Sequence, residues 1–285
     1  MAVTASMVKS LREATGAGMM DCKNALNEAS ESHSDEKEMM EAAVELLRKK
    51  GIAKAAKRLD RETSEGRVVY KQEGSHILML SVTCETDFVS RNDDFASLCQ
   101  DILDHAWNTD AKDLASFLTS ELNGKIMSDF LSEKTGSIGE KIEVKHYSNT
   151  KSNGQIYPYI HSNLKVGTFV DLSSDSVTDA IKTFGKDVAM HIAAMKPVAL
   201  DRSSVDQAVI DKELEIIKEQ LRNEGKAEEM LDKISTGKIN RFYKDSVLLE
   251  QIFVKSEDGK SIEKEAKAID PSLSFNGFVR IAIGE

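Results

Sequence analysis

The run Ile77-Leu78-Met79-Leu80-Ser81-Val82 limits what this chain can fold into more than any other stretch. So apolar a segment has to be covered, and its surroundings show how. Arg67-Val68-Val69-Tyr70 precedes it across a turn at Glu73-Gly74-Ser75, which predicts a hairpin opened by Ser64-Glu65-Gly66 and buried on one face. Past a loop from Glu85 to Asn92, the residues Phe95, Leu98, Cys99, Ile102, Leu103 and Ala106 recur at helical spacing, with Asn92 or Asp93 as the start signal. A strand pair followed by an amphipathic helix is the basic unit.

That unit returns as Gln155 to Ile160, a polar turn, Gly167 to Leu172, and a helix carrying Val177, Ile181, Phe184, Val188 and Ile192. Two lobes of antiparallel strands with packed helices are therefore expected. Residues 66–140 would form the first, and 141–202 with 246–285 the second. Alternation of Ile142 and Val144 with Lys141, Glu143 and Lys145 predicts a strand opening the second lobe, and Ile252-Phe253-Val254 and Phe278 to Ile283 predict strands near its end. Between the two parts of that lobe, Ile210, Leu214, Ile217 and Leu221, then a break at Asn223-Glu224-Gly225, then Leu231, Ile234, Lys238 and Phe242 predict an inserted antiparallel helical hairpin over 203–245. Residues 1–51 read as three short helices. Their faces are Met7, Leu11 and Ala14; Cys22, Ala25, Leu26 and Ala29; and Met40, Ala43, Val44 and Leu47, with Gly16 or Gly18 ending the first helix and Ser34 or Asp35 capping the third. Few prolines, three in all, and long Ala, Leu, Lys and Glu stretches agree with a helix-rich α+β fold.

A net charge of -10 argues against a chain whose main task is gripping nucleic acid or an anionic membrane. One basic cluster, Lys49, Lys50, Lys54, Lys57, Arg58 and Arg61, reads as a solvated linker over 52–65. Cys22, Cys84 and Cys99 form neither a CxxC nor an even set, which points to a reducing, cytoplasmic setting without a disulfide framework or zinc site. The N-terminus lacks the basic-then-apolar pattern of a signal peptide. Gly16-Ala17-Gly18 holds Asp21 where a dinucleotide fingerprint needs its third glycine, and Gly259-Lys260-Ser261 holds Val254 where a phosphate loop needs its first. Histidines 33, 76, 105, 146, 161 and 191 show no metal-ligand spacing, and His191 reads as packed in a helix. No catalytic or metal-binding constellation emerges from these residues, so neither enzyme activity nor a cofactor or metal of its own is expected.

What remains is the loop Thr83-Cys84-Glu85-Thr86-Asp87-Phe88-Val89-Ser90-Arg91-Asn92 between the apolar strand and its helix. Loops on such scaffolds often carry function. From the residues alone Phe88 and Val89 fit a hydrophobic staple folded under the helix better than an exposed site, although spacing does not settle it.

Three motifs in order, Thr15-Gly16-Ala17-Gly18-Met19-Met20-Asp21-Cys22-Lys23, Thr86-Asp87-Phe88-Val89, and Met190-His191-Ile192-Ala193-Ala194 before Lys196-Pro197, make the whole chain resemble the bacterial elongation factor Ts family. The resemblance implies a ubiquitin-associated (UBA-like) three-helix module at 1–51 and a guanine-nucleotide exchange factor for elongation factor Tu. Thr86, Asp87, Phe88 and Val89 would dislocate Mg²⁺ from that GTPase and so promote exchange of GDP for GTP. Ile138, Gly139 and Glu140 would give a second contact with its nucleotide domain, His161 one with another domain, and Met19 and Met20 an adaptable apolar contact, although internal packing of the module explains the two methionines as well. Elongation factor Tu, with GDP or nucleotide-free, is then the partner. Direct contact with nucleic acid or membrane is not expected, and residues 203–245 are a candidate homodimer contact.

Two departures from familiar members bear on those expectations. Ile283-Gly284-Glu285 follows closely on the last core strand, where members often continue into a short helical module with its own partner contact, so affinity or dissociation rate is expected to differ. The acidic stretch Ser30 to Glu38 predicts a longer link between the second and third helices.

Overall fold

The computed structural model describes residues 3–109, 111–122 and 124–285, with every side chain among them except that of Lys54. Met1 and Ala2, at the head of the expected module, and the Lys54 side chain, in the expected basic cluster, thus lie outside the described residues. The chain is α+β and divides into two compact units, one of Met1–Lys71, Leu78–Asn149 and Ala282–Glu285, the other of Gln72–Ile77 and Thr150–Ile281.

The first unit opens with three helices, α1 (Ala5–Thr15), α2 (Met19–Ser30) and α3 (Glu36–Ala56). Gly16 closes α1 in the left-handed conformation, and the Asp35 carboxylate accepts from the backbone of Lys37 and Glu38 to start α3. Helix ends therefore consume part of the acidic stretch expected as a long link, leaving 31–35. Met7, Leu11, Cys22, Ala25, Leu26 and Ala29 form the module's core as read from the periodicity, but Ala14 is exposed, and α3 contributes Met39 and Ala43 while Val44 faces out.

That rotation of α3 has a cause further along the helix. It runs on to Ala56, into the segment read as a linker, because its second half packs against α7 (Met127–Ile138). Gly51 and Gly136 meet there so closely that a Cβ on Gly136 would stand 2.4 Å from the Gly51 Cα. Arg48 and Lys125 both pair with Glu133, at 2.7 and 2.6 Å.

The unit's main sheet has the strand order β1 (Glu65–Glu73), β2 (His76–Cys84), β5 (Glu143–Lys151). We expected the last of these to open the second lobe. It completes the first sheet instead, because Ile142 and Val144 belong to the same apolar core as Leu78, Leu80 and Val82. Strand β2 is buried on both faces rather than one: Ile77, Met79, Ser81 and Thr83 are as inaccessible as the residues opposite. On that second face Ser81 bonds His146 and Thr83 bonds Thr63, so the polar residues of the run are satisfied. Helix α4 (Asp87–Ser90) and helix α5 (Asp93–Asn108) follow, the latter packing Phe95, Leu98, Cys99, Ile102, Leu103 and Ala106 on the sheet as its spacing predicts. Helix α6 (Leu114–Leu118) and the short pair β3 (Glu121–Leu122) and β4 (Lys125–Ile126) lead into α7, none of which the periodicity revealed.

The second unit holds β6 (Gln155–Ile160), β7 (Val166–Ser173) and β8 (Ser274–Ala282) in that order, with β6 antiparallel to β7. Pro158 is tolerated because β6 is an edge strand. Helix α8 (Asp179–Met195) lies on them through Ile181, Phe184, Val188 and Ile192, while Val177 precedes the Thr178 cap and stays exposed. Helices α9 (Gln207–Asn223) and α10 (Glu228–Ser246) make the hairpin, its seam running through Ile217, Leu221, Leu231, Ser235 and Ile239 rather than through Lys238. Arg202 ties its base by pairing with Glu250 and covering the Tyr243 ring. Ile252-Phe253-Val254 forms no strand: Ile252 makes a single bridge with Ser261, the cap of α11 (Ile262–Ile269), and the Val254 amide goes to a histidine ring.

Candidate docking site

The exit of β2 is built so that two side chains face outward and their neighbours do not. Thr86 is the N-cap of α4, its hydroxyl accepting from the Val89 amide at 3.4 Å. Val89 packs on the apolar core, and Ser90 is buried with its carbonyl held by the Arg67 guanidinium at 2.6 Å. Asn92 then caps α5 by accepting from the Asp94 amide. With those positions fixed inward, Asp87 and Phe88 face solvent. Phe88 is 86% exposed, more than any other large apolar side chain described here. The staple is thus made by Val89 alone, and Phe88 is left outside it.

The second predicted segment arrives at the same place. Gly139 takes φ +88° to end α7, a turn that other residues adopt only with strain, and Glu140 follows it towards the loop. One Glu140 oxygen accepts from the amides of Glu85 and Thr86 at 3.0 and 2.9 Å, the other from the Thr86 hydroxyl at 2.5 Å. Glu85 reaches back, accepting from the Lys141 amide at 2.7 Å and pairing with Arg61 at 2.9 Å. Burial by itself would raise the Glu85 carboxyl, but the Lys141 amide with Arg61 and Arg58 outweighs it and holds the group below the usual carboxylate range. Glu85 falls in the loop singled out from the sequence but outside the stretch Thr86 to Val89 assigned to the partner, and these arginines fall outside both. Arg58 and Arg61 were read as linker charges, and no local pattern ties them to an acid so far along the chain.

Asp87 pairs with Arg91 at 3.1 Å on the surface. An exposed pair of this kind contributes only about 0.3–0.5 kcal/mol, so exchanging it for a partner's groups costs little. Met19 and Met20 stand at the first turn of α2, 60% and 64% exposed, which removes internal packing as the explanation for them. Ile138 is exposed at the end of α7. His161 lies in the second unit, exposed at the end of β6, its ring bonded to the Tyr159 hydroxyl at 2.9 Å.

Nucleophilic chemistry finds little here. Cys84 is buried with its thiol on the Thr86 carbonyl, and burial pushes the Cys99 thiol up to about 12. Among the described residues no three His, Cys, Asp or Glu side chains group as a metal site would require. An exposed aromatic thus stands beside an acid on a braced backbone.

Residues 85–285 match the family model described as Elongation factor TS. The chain is 43% identical over 284 residues to Elongation factor Ts of Christiangramia forsetii, covering 99% of each chain. Its identity is 39% over 292 residues to Elongation factor Ts of Chlorobium phaeobacteroides, again covering 99% of each. With Elongation factor Ts of Clostridium acetobutylicum it is 38% over 291 residues, covering 99% of this chain and 93% of the relative.

Proposed function

The chain belongs to the elongation factor Ts family, and from that premise we propose how its loop acts on elongation factor Tu. Membership makes it a nucleotide exchange factor of translation elongation, and in our reading it changes a partner's nucleotide state without catalysing a chemical reaction. The finer steps are our reading. The chain engages elongation factor Tu carrying GDP, Phe88 enters between helices of its nucleotide domain, and Asp87 brings charge to the edge of its Mg²⁺ site. The ion's ligands shift and GDP loosens. Thr86 to Val89 is the dislocating stretch, Ile138 and Gly139 lie beside it against the same domain with Glu140 behind them on the loop, His161 meets another domain, and Met19 and Met20 add an adaptable apolar contact.

The observation that supports this best is Phe88 itself: a large apolar side chain 86% exposed on a turn whose backbone is bonded on both sides. Magnitudes limit what it can do. Speeding release about a thousandfold lowers a barrier by roughly 4 kcal/mol. Burying one phenylalanine is worth about 1.5–3 kcal/mol, and docking must also offset lost rigid-body freedom, so an extended interface has to anchor the wedge. Linkage adds that GDP must weaken binding of this chain by the factor to which this chain weakens GDP, so the tight complex is the nucleotide-free one.

The protein would act in the cytoplasm, without nucleic acid, membrane, cofactor or metal of its own. No helix among the described residues is long and apolar enough to cross a membrane. Exposed Val209, Ile216 and Met230 on the hairpin favour self-association through 203–245 as a separate reading, which sedimentation at increasing concentration tests.

The main test is to add the protein to elongation factor Tu loaded with labelled GDP. Accelerated release at substoichiometric amounts, and a stable nucleotide-free complex that GDP splits, are the expected results. A protein that binds the GTPase without changing release would be an adaptor, and the reading would fall.

A further inference from the structure

We propose that Glu140 is a positioning residue, which with Glu85 forms a reciprocal clasp that fixes the direction in which Phe88 is presented, rather than a residue that touches the partner. The inference rests on the wedge reading of Phe88 and concerns how the wedge is held.

Helix α4 is a single turn, too short to persist by its own hydrogen bonds. Phe88, at 86% exposure, has no packing to hold it in place. Its direction therefore comes from the two flanks. The C-terminal flank is secured by Arg67 on the Ser90 carbonyl and by the Asn92 cap of α5. At the N-terminal flank two amides and one hydroxyl converge on the single carboxylate of Glu140. Glu85 returns the bond to the Lys141 amide, so each segment holds the other's backbone with a side chain. Arg61 and Arg58 beside Glu85 offset the proximity of two acids.

Glu140 in turn sits two residues beyond Ile138, the end of α7, whose C-terminal half is held by the close crossing of Gly136 with Gly51 and the pairing of Glu133 with Arg48. The loop is thus braced against a helix that is itself locked to α3. Both oxygens of Glu140 are engaged with the loop, which leaves the carboxylate poorly placed to serve as a docking group. A preorganised aromatic loses less freedom on docking, and because the wedge reading has Phe88 insert as GDP loosens, that gain is realised in the maximal rate of release rather than in the concentration needed for initial binding.

The test separates reach from charge. Glu140→Gln keeps the reach and an acceptor for both amides, whereas Glu140→Asp keeps the charge and is one methylene short. With elongation factor Tu carrying labelled GDP, stimulated release is measured over a range of concentrations of each variant, with melting curves recorded in parallel. Positioning predicts that the Gln variant keeps most of the maximal rate and that the Asp variant loses about tenfold, both with a half-saturating concentration close to the parent's. In the Phe88→Ala background the Asp change should add nothing. A Gln variant weaker than the Asp variant, or a raised half-saturating concentration multiplied on top of the Phe88→Ala loss, would show a charged contact and overturn the proposal. If Phe88→Ala itself releases GDP at the parental rate, the wedge reading falls and takes this one with it.

Discussion

Both units repeat a strand pair followed by a helix, yet they spend their polar side chains in opposite directions. In the first, the exit of β2 carries Glu140, Glu85, Arg61 and Arg67 around a loop whose aromatic points into solvent. In the second, the exit of β7 runs through 174–177, where the Asp175 amide donates to the Ser272 hydroxyl, to the Thr178 cap of α8, and the larger polar network lies inside. There His191, wholly buried, accepts from the Val254 amide at 3.3 Å and so carries its proton on Nε2, which donates to Gln251 at 2.9 Å. Gln251 passes its own donors to the carbonyls of Met195 and Asp245. A network closed on itself holds a fold together, and one that ends on an exposed aromatic presents something. Both centres lie in motifs that carried the family resemblance, so a motif by itself does not separate a site from a stitch.

The largest expected effect is on the inward network. His191→Ala removes buried volume and orphans Gln251 and the Val254 amide, which should cost about 2–5 kcal/mol in urea unfolding, while exchange per folded molecule is preserved. Intact stability with lost exchange would reverse the contrast. Next, Phe88→Ala should lower stimulated GDP release by about ten- to a hundredfold, the equivalent of losing one buried phenylalanine, with an unchanged melting temperature. A fall in melting temperature would mean that Phe88 is part of the core after all. Smaller again, replacing Met19 and Met20 together by serine should raise the half-saturating concentration by a few-fold, roughly 0.5–1 kcal/mol, and leave the maximal rate alone.

The finest test is acid titration. His191 is held below its ordinary range by burial, against the opposing pull of Gln251, so its folded pKa is depressed. Glu85 is depressed as well. In each case the stability contributed is present above the unfolded value and lost as pH falls through the folded one. The unfolded values differ, about 6.5 for histidine and 4.3 for glutamate. The His191 contribution therefore starts to fall below about pH 6.5, while the Glu85 clasp persists into the carboxylate range. Ring protonation of His191 at pH 6.5, followed by nuclear magnetic resonance, would contradict this.

How much of this could be read in advance depends on distance along the chain. Asn92 before Phe95, Gly16 after Thr15 and Gly225 between α9 and α10 are local signals, acting within a turn or two, and each lies where it was expected. The helix spacing of 95–106 likewise determines its own burial, whereas the run 77–82, expected to bury one face, is buried on both. Local spacing failed where a remote element chose the face: α3 buries Met39 instead of Val44 because α7 claims its far end, and 252–254 forms no strand because His191 takes the Val254 amide.

For Phe88 the division is the same. The sequence by itself determined that an aromatic and an acid stand between an apolar strand and a capped helix, since turn and cap chemistry are short-range. Only the tertiary structure decided that Val89 goes under and Phe88 stays out. That outcome depends on a carboxylate just past the end of α7 meeting the Glu85 and Thr86 amides, a contact between distant segments that no local propensity encodes.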